Sequence, residues 1–299
     1  MSMEKLIVTA TVDSRVSYPN NPYCPPYEEI DRISDEYARC VEAGAAVVHM
    51  HGVRTLEKEI QPDGRRVSKI DFDGWKRMRE QILEKSPRRP IIQFGVASAR
   101  IEEKVRLMTL GPDMMSVAFN SHDEHFQPDP AFPANEMYAV HPRTELEAYA
   151  KAATEHGVKL ELECFQPGAY YNVRHVDRQG FLPHPMYITI FVGWPGGTWL
   201  PSTPDALDFM VRHLPENAVW NVSCMDPPNA WQVLSLAIAT GGHVRVGWED
   251  NPYLAPGRLA ESCHMLVEKI VRMATDLGRE IATPDEARAI IWGRQEPAR

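Results

Sequence analysis

The segment Ala46-Val47-Val48-His49-Met50-His51 places two β-branched valines immediately before a His-x-His pair. A short apolar run of this kind predicts a buried strand. Side chains alternate between the two faces of a strand, so His49 and His51 are expected to project from the same face at its end. Two imidazoles placed in this way can bind one metal ion. A His-x-His pair alone is more often structural than metal-binding, so the metal hypothesis needs a third ligand.

A candidate third ligand follows a second apolar run, His243-Val244-Arg245-Val246-Gly247-Trp248-Glu249-Asp250-Asn251. This run also reads as a buried strand, and it ends in two adjacent carboxylates, Glu249 and Asp250. Two histidines and one glutamate, with a coordination position left open, form the ligand set of a catalytic zinc site. The two segments together therefore favour a metal centre.

Short apolar runs alternate with longer helix-like segments along the chain. Strands are predicted at Leu6–Val12, Ala46–His51, Pro90–Gly95, Met114–Phe119, Lys159–Phe165, Tyr187–Gly193, Ala218–Cys224 and His243–Glu249. Helices are predicted at Tyr27–Ala43, Phe72–Lys85, Ala99–Thr109, Arg143–His156, Pro204–His213, Asn229–Ala239, Leu259–Leu277 and Pro284–Trp292.

The strands are apolar on both faces, with polar residues at their C-terminal ends, which is typical of a parallel sheet covered by helices. Eight β/α units in a chain of this length predict a (β/α)₈ TIM barrel. We expect a single domain comprising residues 1–299, with C-terminal helices packed on the barrel. A doubly wound open sheet is the competing fold, but no Gly-x-Gly-x-x-Gly follows the first strand. Two long connections, Asn120–Ala139 and roughly 166–186, show little helical periodicity, and long loops are often functional.

The composition excludes several classes of function. Of the 299 residues, 43% are hydrophobic and 24% are charged, as is usual for a globular protein. The net charge of -9 argues against nucleic-acid binding but permits an anionic small substrate bound by local arginines. We see no apolar run of membrane-spanning length, so no membrane partner is expected. Five scattered cysteines without a C-x-x-C motif predict reduced thiols in a cytoplasmic protein, with Cys164 and Cys224 in the core.

The active site of a TIM barrel lies at the C-terminal ends of its strands, and several further polar residues fit that rule. Glu161 and Glu163 alternate around one leucine, so both are expected to face the same side of the fifth strand. Arg245 lies four residues before Glu249, on the same face and deeper. Buried charges without partners are costly, so Arg245 is expected to pair with Asp250 or with a glutamate of the fifth strand.

The remaining histidines have less specific patterns. His122 and His125, after the fourth strand, could be additional ligands but are more simply loop residues at the entrance to the site, and His175 has the same status. His243 begins the last strand, at the end of the barrel away from the site, so it is expected to be structural.

Several motifs together resemble the β-keto acid cleavage enzyme family, whose best-known member is 3-keto-5-aminohexanoate cleavage enzyme. The similarity extends over essentially the whole chain. The motifs that carry it are Ile7-Val8-Thr9-Ala10, Pro25-Pro26-Tyr27-Glu28-Glu29-Ile30, the segment from Glu42 to His51, Glu161-Leu162-Glu163-Cys164-Phe165, Val192-Gly193-Trp194-Pro195-Gly196-Gly197 and the segment from Val244 to Asn251.

The resemblance implies a zinc-dependent barrel with one Zn²⁺ per chain, which converts a β-keto acid and acetyl-CoA into acetoacetate and a new acyl-CoA. His49, His51 and Glu249 match the zinc ligands of the family. The family also suggests a homo-oligomer, often a tetramer. In this chemistry a metal stabilises an enolate, which then attacks the thioester of acetyl-CoA.

The same resemblance implies roles for the other polar residues. Asp250, oriented by Arg245, matches the general base that removes the proton between the two carbonyl groups. One of Glu161 and Glu163 would match a further active-site carboxylate, and the sequence leaves open which one.

The chain departs from the family pattern at positions that contact substrate. The arginine that usually follows the His-x-His pair comes one residue later here, at Arg54. Members that act on amino-bearing substrates have an acidic residue where this chain has Arg15-Val16, and Asp13 is close but out of register. The Ser-Thr-Gly-Gly run after the third strand is replaced by Gly95-Val96-Ala97-Ser98. We therefore expect a substrate other than 3-keto-5-aminohexanoate.

Two other functions remain open from the sequence. One is another metal-dependent barrel enzyme, a hydrolase or an aldolase, although amidohydrolases carry histidines on strands five and six where this chain has none. The other is a non-catalytic metal-binding barrel. The presence of Arg245 and Asp250, neither of which is needed only to hold zinc, argues against it.

Overall fold

The computed structural model describes residues 3–14, 17–60, 66–97, 99–126, 135–194, 196 and 200–293. The strands are β1 Val8–Thr11, β2 Val47–Met50, β3 Arg54–Ile60, β4 Arg66–Ile70, β5 Ile91–Phe94, β6 Met114–Ala118, β7 His122–Phe126, β8 Asn135–Ala139, β9 Lys159–Cys164, β10 Met186–Val192, β11 Ala218–Cys224, β12 His243–Gly247, β13 Tyr253–Ala255 and β14 Arg258–Leu259. The helices are α1 Ile30–Ala43, α2 Phe72–Lys85, α3 Ile101–Met108, α4 Arg143–His156, α5 Ala169–Asp177, α6 Pro204–Arg212, α7 Pro227–Thr240, α8 His264–Asp276 and α9 Pro284–Ile291.

Eight of these strands form a closed parallel barrel, in the order β1-β12-β11-β10-β9-β6-β5-β2, which confirms the predicted (β/α)₈ fold. Each barrel strand corresponds to one predicted strand, and most are one or two residues shorter. The closure places β12, β1 and β2 side by side. Their register pairs Thr11 with Gly247 on one side and with His49 on the other. The ends of the two motif-bearing strands therefore meet on either side of β1.

Several helix and loop predictions were wrong in detail. The connection after β9 contains helix α5, whose buried residues Ala169, Tyr170, Val173 and Val176 recur at helical spacing. The connection after β6 contains the antiparallel pair β7–β8 rather than a loop. This pair was not predicted because its strands are polar and show no alternation of apolar residues. The antiparallel pair β3–β4 was likewise not predicted. The helix predicted from Leu259 begins at His264, after the small β13–β14 hairpin.

The N-terminal end of the barrel is closed by an apolar layer. Side chains from the strand starts, including Ile7, Val47 and Tyr187, cluster with Ala287 and Ile291 of α9. Helix α9 is capped by Thr283, which forms a capping box with Glu286. The candidate site residues described below lie away from this layer, in the middle and at the C-terminal ends of the strands.

Two further expectations concern the cysteines and membrane-spanning segments. All five cysteines are buried and unbonded to one another, and Cys164 and Cys224 lie in the core as predicted. No helix in the described part of the chain combines the length and the apolar character needed to cross a bilayer.

Candidate metal and catalytic site

The two histidines and Glu249 converge at the C-terminal end of the barrel. One potential ligand atom from each of His49, His51 and Glu249 lies within 4.8 Å of the others, and all three residues are buried. His49 is on β2, His51 follows it by two residues, and Glu249 follows β12. Among the described residues this is the one group of three or more His, Cys, Asp or Glu side chains close enough to share an ion.

His49 presents one ring nitrogen to this cluster and has the other fixed. Its Nδ1 lies 2.7 Å from the side-chain oxygen of Gln93 on β5, so Nδ1 carries the proton and donates. Metal-binding histidines are held in this way by an acceptor behind the ring. Burial, together with Arg245 and His51, holds the pKa of His49 well below its usual value. The Nε2 of a neutral His49 imidazole therefore offers its lone pair to the cluster.

Glu249 is held as a carboxylate by the groups around one of its oxygens. Oε2 lies 2.8 Å from His51 Nε2 and accepts hydrogen bonds from Thr11 Oγ1 at 2.7 Å and Arg245 Nη2 at 2.5 Å. Burial opposes the charge, but His51 and Arg245 outweigh it and hold the pKa of Glu249 well below its usual value. His51 Nδ1 is buried without a hydrogen-bond partner. The set contains imidazole nitrogen and carboxylate oxygen atoms, which suits a divalent metal such as zinc.

Arg245 and Asp250 form a buried bidentate pair beside the cluster. Arg245 Nε and Nη2 donate to the two carboxylate oxygens of Asp250, each at 3.0 Å, and both side chains are 2% exposed. Burial raises the pKa of Asp250 to about 6, although Arg245 opposes the shift. Burial also opposes the charge on Arg245, but Asp250, Glu249, Glu161 and Glu163 together raise its pKa. The predicted Arg245–Asp250 pairing is confirmed.

Glu161 and Glu163 both point into the barrel, as their spacing predicted. Glu161 is fully buried, and one of its oxygens accepts a hydrogen bond from Thr189 of β10 while the other has no partner. Glu163 lies two residues further along β9 and is 9% exposed. Burial raises the pKa of both, and the neighbouring Glu161 contributes to raising that of Glu163 to about 7. Four carboxyl groups thus act on the charge of one guanidinium, and a cation bound beside them would offset their mutual repulsion.

The raised pKa of Glu163 predicts a pH-dependent effect of Glu163→Gln on the metal-free protein. A carboxyl whose folded pKa lies above its unfolded value contributes stability below about pH 4.5, and that contribution is lost as the pH rises through about 7. The shift corresponds to roughly 3 kcal/mol. We therefore expect the free energy of unfolding of Glu163→Gln, relative to that of the parent, to increase as the pH rises from about 5 to about 8. Urea unfolding at both pH values measures the difference, and a pH-independent effect would contradict the assignment.

An aromatic wall, defined as Phe165, Phe191, Trp194 and His122, lies on the β6–β9–β10 side of the site. The Phe191 ring lies 5.2 Å below the Arg245 guanidinium. Phe165 contacts both Phe191, at 4.5 Å between ring centroids, and His122, at 4.7 Å. Trp194 meets the edge of Phe191 at 5.8 Å. The metal cluster is on the opposite, β12–β1–β2 side, so the site has one polar wall and one aromatic wall.

The other predicted histidines fall outside the cluster of candidate ligands. His122 was expected in a loop at the entrance to the site, but it is a buried residue of strand β7 and packs against Phe165 in the aromatic wall. His125 is an exposed residue of the same strand, and His175 pairs with Glu147 on the surface of the helices. His243 Nδ1 accepts a hydrogen bond from the Ile7 backbone, which confirms its structural role. Arg15 and Ser98 lie outside the described residues.

Sequence reasoning missed three residues that support the cluster. Gln93 and Thr11 bind His49 and Glu249 across neighbouring strands. Asp13 accepts hydrogen bonds from the backbone N–H groups of His51 and Gly52. The signal available in the sequence was their position, since each lies within two residues of the C-terminal end of a predicted strand.

Comparison with known proteins agrees with this geometry. The sequence profile of the beta-keto acid cleavage enzymes matches residues 5–292. The chain belongs to this family. It is 34% identical to "3-keto-5-aminohexanoate cleavage enzyme" of Fusobacterium nucleatum over 294 residues, which cover 97% of this chain and 98% of that protein. The chain is accordingly a β-keto acid cleavage enzyme.

Two further proteins are similar to this chain. A "3-dehydrocarnitine:acetyl-CoA trimethylamine transferase" of Rhizobium meliloti is 33% identical over 144 residues, or 48% of this chain and 46% of that protein. The structure "Apo structure of ObcA" superposes with a TM-score of 0.68 at 18% identity and covers 90% of this chain and 65% of that chain. At this identity the superposition supports the barrel fold only.

Proposed function

We propose that this β-keto acid cleavage enzyme uses zinc and acetyl-CoA to convert R–CO–CH₂–COO⁻ into acetoacetate and R–CO–SCoA. The observation that carries the proposal is the convergence of His49, His51 and Glu249 within 4.8 Å beside the Arg245–Asp250 pair. A site that only held a metal would not need a second carboxylate clamped by a buried guanidinium. The reactive unit is a single barrel domain in this proposal.

His49, His51 and Glu249 would hold the metal. Bound there, zinc supplies Lewis-acid polarisation of the keto oxygen of the substrate. The neutral state of His49 and the anionic state of Glu249 fit this role, because metal ligands must be deprotonated. Three protein ligands would leave room for substrate to bind the metal, as in other catalytic zinc sites.

Asp250 is the general base in this proposal and removes a proton from the carbon between the two carbonyl groups. Arg245 holds both oxygens of Asp250 from behind, so the carboxylate cannot rotate away. A base with a pKa of about 6 is ionised near neutrality and still basic enough to accept a proton. The resulting carbanion attacks the carbonyl carbon of acetyl-CoA, CoA thiolate leaves and then adds to the original ketone, and carbon–carbon cleavage releases acetoacetate.

Glu163 is the better candidate for the further active-site carboxylate. It lies nearer the open end of β9 than Glu161 and retains some exposure, whereas Glu161 is fully buried and bound to Thr189. With its pKa raised to about 7, Glu163 can carry or release a proton near neutral pH. Glu161 in turn supports Thr189 and the barrel interior.

The substrate side chain is neutral in this proposal, unlike that of the aminohexanoate. An ammonium group would need a carboxylate near the end of β1. Asp13 cannot serve, because it is fully buried and both its oxygens accept hydrogen bonds from the protein. The aromatic wall of Phe165, Phe191, Trp194 and His122 instead suits an uncharged side chain. The assembly proposed is a homo-oligomer, with the tetramer of the family resemblance as its expected form.

The experiment is an acetoacetate assay on zinc-loaded protein. β-Keto acids with apolar, anionic and amino-bearing side chains would each be tested with and without acetyl-CoA. We expect acetoacetate only with acetyl-CoA, and the highest kcat/KM with a neutral side chain. Turnover without acetyl-CoA would favour a hydrolase or aldolase, and a preference for the amino-bearing acid would overturn the substrate proposal.

A further inference from the structure

We propose that Asp13 is a positioning residue that, together with Tyr37, fixes the backbone carrying both histidine ligands. Asp13 follows β1, and Tyr37 is on α1; neither side chain reaches the proposed metal directly. Their effect is exerted on the main chain from His49 to Gly52. The inference rests on the proposed function, since it concerns the metal that His49 and His51 would hold.

The Asp13 carboxylate binds the turn after His51 with both oxygens. Oδ1 and Oδ2 each lie 3.0 Å from the backbone nitrogen of His51, and Oδ2 lies 2.6 Å from that of Gly52. Asp13 is 0% exposed, so water does not compete for these donors. A buried carboxylate is costly unless it is fully hydrogen-bonded, and here the donors come from one short segment of main chain.

These contacts occur where the regular sheet ends. The pairing of β1 with β2 stops at Thr11 and His49, so the main chain of His51 and Gly52 is beyond the ladder. The Asp13 side chain supplies acceptors at this point, where β1 no longer provides paired main-chain groups. On the β1 side, the main chain of His51 is therefore held by the Asp13 side chain rather than by strand pairing.

The other side of the same turn is held by packing. Gly52 has a φ of +61°, and a Cβ at this position would lie 2.1 Å from the Trp75 ring. The indole Nε1 of Trp75 donates to the Val53 carbonyl oxygen at 3.1 Å. The turn is thus fixed between Asp13 on one side and Trp75 on the other, which leaves few positions for the His51 ring.

Tyr37 connects this arrangement to His49. Its hydroxyl lies 2.6 Å from Asp13 Oδ1 and 2.5 Å from the His49 carbonyl oxygen, so its one proton is shared between the two acceptors. The Val12 backbone N–H donates to the same hydroxyl at 3.2 Å. A shift of Asp13 would therefore be felt at both histidines. Loss of this preorganisation should weaken metal binding, as loss of supporting contacts typically does by about 10- to 100-fold.

The test compares Asp13→Asn and Tyr37→Phe with the parent protein in zinc affinity and in the visible spectrum of the Co²⁺-substituted form. In Asp13→Asn, an N–H₂ group faces the backbone N–H donors of His51 and Gly52. Tyr37→Phe removes the hydroxyl proton that Asp13 and the His49 carbonyl share. We expect Asp13→Asn to bind zinc at least about tenfold more weakly and to shift the Co²⁺ bands. Tyr37→Phe should act in the same direction, and the two changes should be non-additive in the double variant.

Tyr170→Phe is the matched control. Tyr170 is a buried tyrosine whose hydroxyl donates to a main-chain oxygen, that of Met210, at 3.1 Å, but it lies between α5 and α6. The Tyr170→Phe variant should be less stable than the parent, with the same zinc affinity and the same Co²⁺ spectrum.

The outcomes separate this inference from the proposed function. A parent protein that binds no stoichiometric zinc overturns the proposed function itself. A parent that binds zinc, with both variants folded and unchanged in affinity and spectrum, overturns the positioning role alone. If Asp13→Asn does not fold, Tyr37→Phe decides: a weaker affinity and shifted bands support the inference, and parental values overturn it.

Discussion

Replacing Asp250 by Asn is expected to lower kcat by about 10³-fold while one zinc per chain is retained. Asn keeps the volume of Asp250 and can accept one hydrogen bond from Arg245, but it cannot remove a proton. The proposed ligands His49, His51 and Glu249 are unchanged in this variant. Steady-state kinetics with acetyl-CoA, together with metal analysis of the same preparation, measure the two effects.

His51→Ala provides the comparison for this prediction, because it should lose both zinc and turnover. The contrast distinguishes a base from a ligand. An Asp250→Asn protein with parental kcat would refute the role of Asp250. A variant that has lost its zinc would show instead that Asp250 contributes mainly to the metal site.

Replacing Arg245 by Met is expected to destabilise the metal-free protein by about 3–5 kcal/mol near neutral pH. Arg245 is 2% exposed and donates to Asp250 and Glu249, so its removal leaves buried carboxylates without a cation. Their pKa values would rise, and a raised pKa adds stability at low pH that is lost as the pH increases. The destabilisation should therefore be smaller at about pH 5 than at about pH 8, as measured by urea unfolding.

Arg279→Met is the matched control for that experiment. Arg279 is also buried, at 3% exposure, but it donates to main-chain oxygens of Glu4, Ile238 and Gly242. Its loss should reduce stability with little change between the two pH values. Equal pH dependence in the two variants would mean that Arg245 does not balance the carboxylates of the site.

The convergence of His49, His51 and Glu249 could be predicted from sequence because it follows from the alternation of side chains along a strand and from the closure of the barrel. His49 and His51 alternate on one strand, and Glu249 ends a strand that barrel closure brings near them. Glu161 and Glu163 faced the interior for the same reason. The period of two identified the residues on each strand, and the predicted barrel closure brought the strands together.

The supporting residues could not be predicted because their contacts depend on how side chains of different elements pack against one another. Gln93 reaches His49, and Tyr37 reaches Asp13, only after α1 and β5 have packed. In the sequence, Asp13 was compared only with the acidic residue that binds substrate in related enzymes. In the structure its carboxylate instead accepts a hydrogen bond from the main chain of His51. Helix α5 was missed because its apolar residues occupy only two turns between proline-containing loops.

The most direct test of the account follows the acetyl group of ¹³C-acetyl-labelled acetyl-CoA through one turnover with an unlabelled β-keto acid. The proposed reaction transfers that acetyl group to the two carbons derived from C1 and C2 of the β-keto acid. We predict labelled acetoacetate, with both labels in its acetyl half, and an unlabelled acyl-CoA. Unlabelled acetoacetate, or label recovered as acetate, would contradict the account.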